Sequence, residues 1–240
     1  MAEVIVALDV PNEAGALDLV DRLGEDLAFV KVGLELYTRE GPAVVRRLRE
    51  RGLRVFLDLK LHDIPRTVEG AVQAAVDLDV DLLTVHAAGG RGMVQAAVAA
   101  VGTSRLRILA VTALTSLLSE DLEEIWGRPV SAVEREVVRL ASLAWNSGVH
   151  GVVASPQEAA ALRAELGPSA LLVTPGIRSA FDLVHDQARV ATPADAVAAG
   201  ADFLVVGRPV TASPDPRAAL LRLGREMAEA RGTRAAEGGA

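Results

Sequence analysis

The chain has no cysteine among its 240 residues, which excludes a disulfide framework, thiolate metal sites and a cysteine nucleophile. Aromatic residues are scarce, at two Trp, one Tyr and four Phe, and the formal net charge is −7. The chain therefore has neither the stacking surface nor the basic stripe of a nucleic-acid-binding protein. Long hydrophobic runs are missing as well. The first apolar stretch, Val4 to Val10, follows Glu3 and contains Asp9, so it reads as neither a signal peptide nor a membrane span. A soluble cytoplasmic protein is expected, with no nucleic acid and no membrane as partner. Lysine is nearly absent. Of 25 basic residues all are Arg except Lys31 and Lys60. Guanidinium holds its proton at any working pH, whereas an ammonium can give one up, so these two positions invite a chemical explanation.

What is present is an ordinary globular composition, with 50% hydrophobic and 24% charged residues. Short apolar runs recur at steady intervals, namely 4–10, 29–36, 54–60, 82–87, 107–114, 151–155, 171–177 and 203–209. Most are continuous rather than alternating, as strands of a parallel sheet covered on both faces should be. Helix-like segments lie between them at 12–24, 39–51, 66–79, 91–102, 130–147, 156–166 and 215–231. This alternation predicts an α/β fold, a (β/α)8 TIM barrel in a single domain over 1–231, with 232–240 as a frayed tail. A doubly wound open sheet is the rival, but no G-x-G-x-x-G follows the first strand. Two intervals exceed a bare helix. LTSLLSEDLEE at 114–124 and RSAFDLVHDQARVATP at 178–193 follow strands five and seven and are lid candidates, with simple loop-length drift as the bland explanation.

Polar residues cluster at the C-terminal ends of the expected strands, the end that carries barrel active sites. Asp9 ends the first, Lys31 lies in the second, and Asp58 and Lys60 end the third; His86 ends the fourth, Thr112 and Thr115 follow the fifth, and Arg208 ends the eighth. The densest segment is DLKLHDIPRTV at 58–68. Period-two geometry sets Asp58 and Lys60 on one face of the strand, with Asp63 in the loop beyond. Two carboxylates around one ammonium keep it charged, as a proton donor requires; a structural ion network is the alternative. At the eighth strand, Gly207 lets a backbone approach phosphate oxygens and Arg208 offers a bidentate clamp. The four histidines, at 62, 86, 150 and 185, show no metal-binding spacing. His86 reads as a packed residue and His62 as a support for its loop.

The segment DLKLHDIP, with KVG at 31–33, closely resembles the orotidine 5′-phosphate decarboxylase family. The resemblance continues in order through VHAAGG at 85–90, AVTALTS at 110–116, TPGIR at 174–178, DQARVATP at 186–193 and VVGRP at 205–209. It implies a barrel homodimer that needs no cofactor and no metal and converts the nucleotide orotidine monophosphate to uridine monophosphate. Position by position, it implies Lys60 as the proton donor to pyrimidine C6 and Asp58 as the carboxylate crowding that of the substrate. Asp63 is its counterpart reaching in from the partner subunit. Asp9 and Lys31 match the ribose-binding pair, Ile64 and Thr67 the partner-supplied edge, and Thr115 the loop residue over the base. Arg178, Gln187, Gly207 and Arg208 match the phosphate grip. Two other readings stand beside this one. A metal-dependent sugar-phosphate lyase or decarboxylase of the same barrel shares D-x-K-x-x-D but has a carboxylate, as metal ligand, where Lys31 stands. A noncatalytic phospho-ligand-binding barrel has no need of Lys60 as such.

Overall fold

Runs of Val, Ile and Leu lose little by adopting extended backbone and gain most where both faces are covered, and eight of them do so here. A computed structural model describes residues 2–178 and 191–237. The strands are β1 (Glu3–Ala7), β2 (Phe29–Gly33), β3 (Arg54–Leu61), β4 (Leu82–His86), β5 (Arg107–Val111), β6 (Gly151–Val153), β7 (Leu171–Thr174) and β8 (Phe203–Val206). All pair in parallel in the order of the sequence, and β8 returns to β1 with Glu3 opposite Phe203 and Val6 opposite Val206, closing the barrel. The open-sheet alternative is thereby excluded.

Alternation along each strand separates two apolar layers. Ile5, Ala7, Phe29, Phe56, Leu82, Leu109, Val173 and Val205 fill the barrel interior. Their neighbours Val6, Val30, Val55, Leu57, Leu83, Ile108 and Leu172 face outward into a second layer under the helices. Both layers are buried, so the strands read as unbroken apolar runs. At the lower end Phe29 and Phe203 meet edge to face with centroids 5.7 Å apart, and the Arg54 guanidinium lies 4.3 Å from the Phe29 ring centroid while pairing with Glu3.

The observed boundaries differ from the expected ones for local reasons. The second strand stops at Gly33, a short helix spans Leu34–Glu40, and Gly41 at φ 62° breaks the chain before a second helix starts on Pro42. The expected helix over 39–51 is thus shortened to Pro42–Glu50, and the end of the run expected as strand to residue 36 is helical instead. The long interval after β5 contains a helix, Ser119–Trp126, that starts inside the first lid candidate and runs two residues past its end. Most of the second lid candidate lies outside the described residues. The last helix, Pro216–Glu237, continues past Arg231 into the stretch expected to fray. Among the described residues no helix is long and apolar enough to cross a membrane.

A repeated device trims the lower rim. The residue just before each of three even-numbered strands accepts a backbone N–H from the start of the odd strand beside it. Asp81 Oδ2 takes Val55 N–H at 2.8 Å, His150 Nδ1 takes Ile108 N–H at 3.0 Å, and Asp202 Oδ2 takes Leu172 N–H at 2.8 Å. Arg49 and Arg163 anchor the two carboxylates. The His150 bond needs an unprotonated Nδ1, and burial, with the Arg107 charge nearby, holds this imidazole below its ordinary 6.5. A depressed histidine stabilises the fold fully above its unfolded value and progressively less as the pH falls from 6.5 toward its folded value. The urea midpoint should therefore fall over that range, and His150→Gln should flatten the fall, leaving the part due to His86, which burial also holds below 6.5. Identical slopes for the two proteins would remove His150 from this role.

Candidate active site

At the upper mouth, four charges from three strands interlock. Lys31 on β2 places Nζ 3.1 Å from Asp9 Oδ1, beyond the end of β1, and 3.7 Å from Asp58 Oδ2 on β3. Lys60 Nζ donates to both Asp58 oxygens, at 2.9 and 2.8 Å. Two ammonium groups and two carboxylates make a formally neutral array, which allows charges to sit in a half-dry mouth. Asp58 and Lys31 are nearly enclosed, with side chains 12% and 11% exposed, whereas Asp9 is 61% exposed. Gly33 makes room for this array. A Cβ there would come within 3.0 Å of Lys31 Nζ.

Asp58 and Lys60 converge, but not through a plain pleat. Leu57 pairs with Leu83 and Leu61 pairs with Val85, so four steps of β3 oppose two of β4. Inside this bulge Lys60 has φ 50°, a left-handed conformation that costs a non-glycine residue about 1–2 kcal/mol. Period-two reasoning predicts the right neighbours and misses the bulge that creates the geometry. It also misses Thr84 on β4, which is fully buried and sits against the bulge. Thr84 Oγ1 accepts the Lys60 N–H and donates to Asp58 Oδ1, each at 2.9 Å. A hydroxyl between apolar Leu83 and Val85 was its available signal.

The array forms one wall of a cavity of about 290 Å³. Asp9, Lys31, Asp58, Lys60, Thr115, Arg178, Gly207 and Arg208 all line it, above an apolar floor that includes Phe56, Val111 and Val205. Arg178 follows β7, the strand opposite β3 in the ring, and Arg208 follows β8, the neighbour of β1. A Cβ on Gly207 would meet Ala7 and Asp9 only at ordinary contact distances, so its open side faces the cavity rather than a crowded backbone. Thr112, by contrast, is buried and donates to Val153 O at 3.3 Å, a structural role. Gln187 lies outside the described residues.

Asp63, Ile64 and Thr67 do not line the cavity. They stand exposed on the loop and first helical turn after β3, where Asp63 Oδ1 accepts the Ile64 N–H at 2.6 Å and Ile64 is 66% exposed. Among the described residues of one chain Lys60 is thus flanked by Asp58 alone, and the expected second carboxylate, Asp63, stays outside the cavity. Beside the array, the His62 and His86 rings lie 5.3 Å apart. Burial, then the neighbouring His62 and Lys60, hold His86 below its ordinary value against the opposing pull of Asp58. His86 is half-buried beside the array and does not line the cavity.

A closed (β/α)8 barrel with interlocked lysines and carboxylates that share one cavity with two arginines is a barrel enzyme for a small, anionic substrate. The chain belongs to the orotidine 5′-phosphate decarboxylase / HUMPS family, whose model matches residues 2–223. A protein named orotidine 5′-phosphate decarboxylase from Moorella thermoacetica is 51% identical over 232 residues, covering 94% of this chain and 92% of that one. Another of that name from Halorhodospira halophila is 53% identical over 231 residues, covering 95% and 96%. Among solved structures, the orotidine 5′-phosphate decarboxylase of Lactobacillus acidophilus superposes with a TM-score of 0.85 at 38% identity, covering 95% of this chain and 99% of its own.

Proposed function

We propose that this chain converts orotidine 5′-phosphate to uridine 5′-phosphate and CO2 in the cytoplasm, without metal or organic cofactor. The observation that carries the reading is the Lys60–Asp58 pair braced by Lys31 and Asp9. In this reading the substrate carboxylate lies against Asp58. The C6–carboxylate bond breaks, CO2 leaves, and the bonding pair remains on C6. The Lys60 ammonium stabilises that developing carbanion and then delivers its proton to C6; solvent restores the proton to Lys60. Departure of neutral CO2 also relieves the repulsion against Asp58. Asp9 and Lys31 hold the ribose and Thr115 covers the base. Arg178, Gln187, Gly207 and Arg208 hold the phosphate, whose binding energy closes the site.

The metal-dependent alternative needs a cation among these carboxylates. Lys31 Nζ already occupies the place between Asp9 and Asp58, at 3.1 and 3.7 Å, and an ammonium there opposes a divalent ion. The noncatalytic alternative predicts that another cation can replace Lys60. We expect Lys60→Arg to bind uridine monophosphate within a few-fold of wild type and to lose turnover by about 10²-fold or more, since guanidinium is a reluctant donor. A variant that binds product and retains most of kcat would end the proton-donor assignment.

The reading includes a homodimer with shared sites. It is supported by Asp63, Ile64 and Thr67, which are exposed and do not line their own cavity, and by the isologous nature of two-fold contacts. Lys60→Ala and Asp63→Asn homodimers should each be severely impaired. Dissociated, mixed and reassociated, they should recover activity toward about a quarter of wild type, because each heterodimer has one intact site. No recovery in a mixture that mass spectrometry shows to contain heterodimers would place Asp63 in its own chain's site.

A further inference from the structure

Thr84 is an unusual residue for its place. It sits on the barrel-facing side of β4, one layer above Leu82 of the interior core, and is fully buried. Its hydroxyl is used in both directions. The Lys60 backbone N–H points at Oγ1 from 2.9 Å, so the oxygen must accept there. The hydroxyl proton is then left to Asp58 Oδ1, also at 2.9 Å. One small side chain therefore ties the backbone of Lys60 to the carboxylate that holds the Lys60 ammonium.

The bulge explains why such a tie is needed. Between the pairs Leu57–Leu83 and Leu61–Val85, the β3 backbone leaves the regular ladder, and Lys60 takes up its left-handed φ of 50°. In a regular ladder the Lys60 N–H would find a backbone carbonyl. Here it finds the Thr84 hydroxyl instead. The Asp58 carboxylate, held at Oδ1 by Thr84 and at both oxygens by Lys60, is restrained in rotation about its last bond.

We infer that Thr84 is a positioning residue for the decarboxylation, fixing Asp58 and Lys60 relative to each other through its hydroxyl without touching the substrate. The inference rests on the proposed function above. Without the hydroxyl, the Lys60 N–H loses its partner and Asp58 gains a degree of freedom. The substrate's phosphate and ribose contacts are untouched. The penalty then falls on the chemical step rather than on binding.

Thr84→Val keeps the shape and removes the hydroxyl; Thr84→Ser keeps the hydroxyl and removes a methyl. With orotidine monophosphate as substrate, Thr84→Val should lose kcat by about 10- to 100-fold, the range expected for one hydrogen bond to a charged group. Its affinity for uridine monophosphate should stay within about threefold, since that contact set is unchanged. Thr84→Ser should recover most of kcat even though it is the less well packed of the two. A merely structural role predicts the reverse order, with Ser worse than Val. If Thr84→Val fails to fold, Thr84→Cys, similar in volume and a poor hydrogen-bonding group, replaces it with the same expected loss. Wild-type kcat in the Val or Cys variant, or no rescue by Ser, overturns the inference while the decarboxylase reading stands. A wild-type protein inactive on orotidine monophosphate overturns both.

Discussion

Everything at the mouth of this barrel depends on how the charge of Lys60 is held. An ammonium group 2.8 Å from a nearly enclosed carboxylate is stable only if the surrounding charges balance, and Lys31 with Asp9 supplies that balance. Removing any one of the four leaves a net charge in a confined space. The array also has to be slightly unsatisfied toward the cavity, because a substrate must gain from entering it. Lys60, at 29% exposure, is the member of the Lys60–Asp58 pair more open to that space.

The barrel supplies rigidity, and a single irregularity supplies aim. Regular strands deliver Lys31 and Asp58 as diagonal neighbours, since Lys31 pairs with Phe56 and Gly33 with Asp58 across β2 and β3, and the long Lys31 side chain reaches up to the carboxylate. Lys60 reaches the same point only because β3 bulges against β4. The bulge fits a general pattern in which local backbone strain is kept where it directs a functional side chain and is held by surrounding contacts. Here the holding contact is a threonine hydroxyl, and the apolar layers below it hold the strands that carry it.

The barrel and its mouth were legible in the sequence for physical reasons. Strands covered on both faces must be apolar throughout, so Asp9, Lys31, Asp58 and Lys60 stood out as charges that such a strand would otherwise exclude. The near-absence of lysine sharpened the signal, because both lysines fall at the site. The cavity lining also includes Thr115, Arg178, Gly207 and Arg208, as the family motifs imply. Less was legible where backbone geometry departs from a period. The bulge at Lys60 changes no residue type, so a two-residue repeat cannot show it. Thr84 looked like one hydroxyl within an apolar run. The break at Gly41 and the helix at Ser119–Trp126 lie where loop and helix compositions overlap. Asp63 belonged by motif to the charged cluster, yet its side chain leaves that cluster within its own chain.

In the proposed reaction this charged array, with no added group, is sufficient for the chemistry. The most direct test incubates the purified protein with orotidine monophosphate in excess EDTA and follows substrate and product together. Full-rate conversion to uridine monophosphate is expected, with one CO2 released per substrate consumed and no change when Mg2+ is restored. Turnover that stops in EDTA and returns with Mg2+, or no turnover at all, would contradict it.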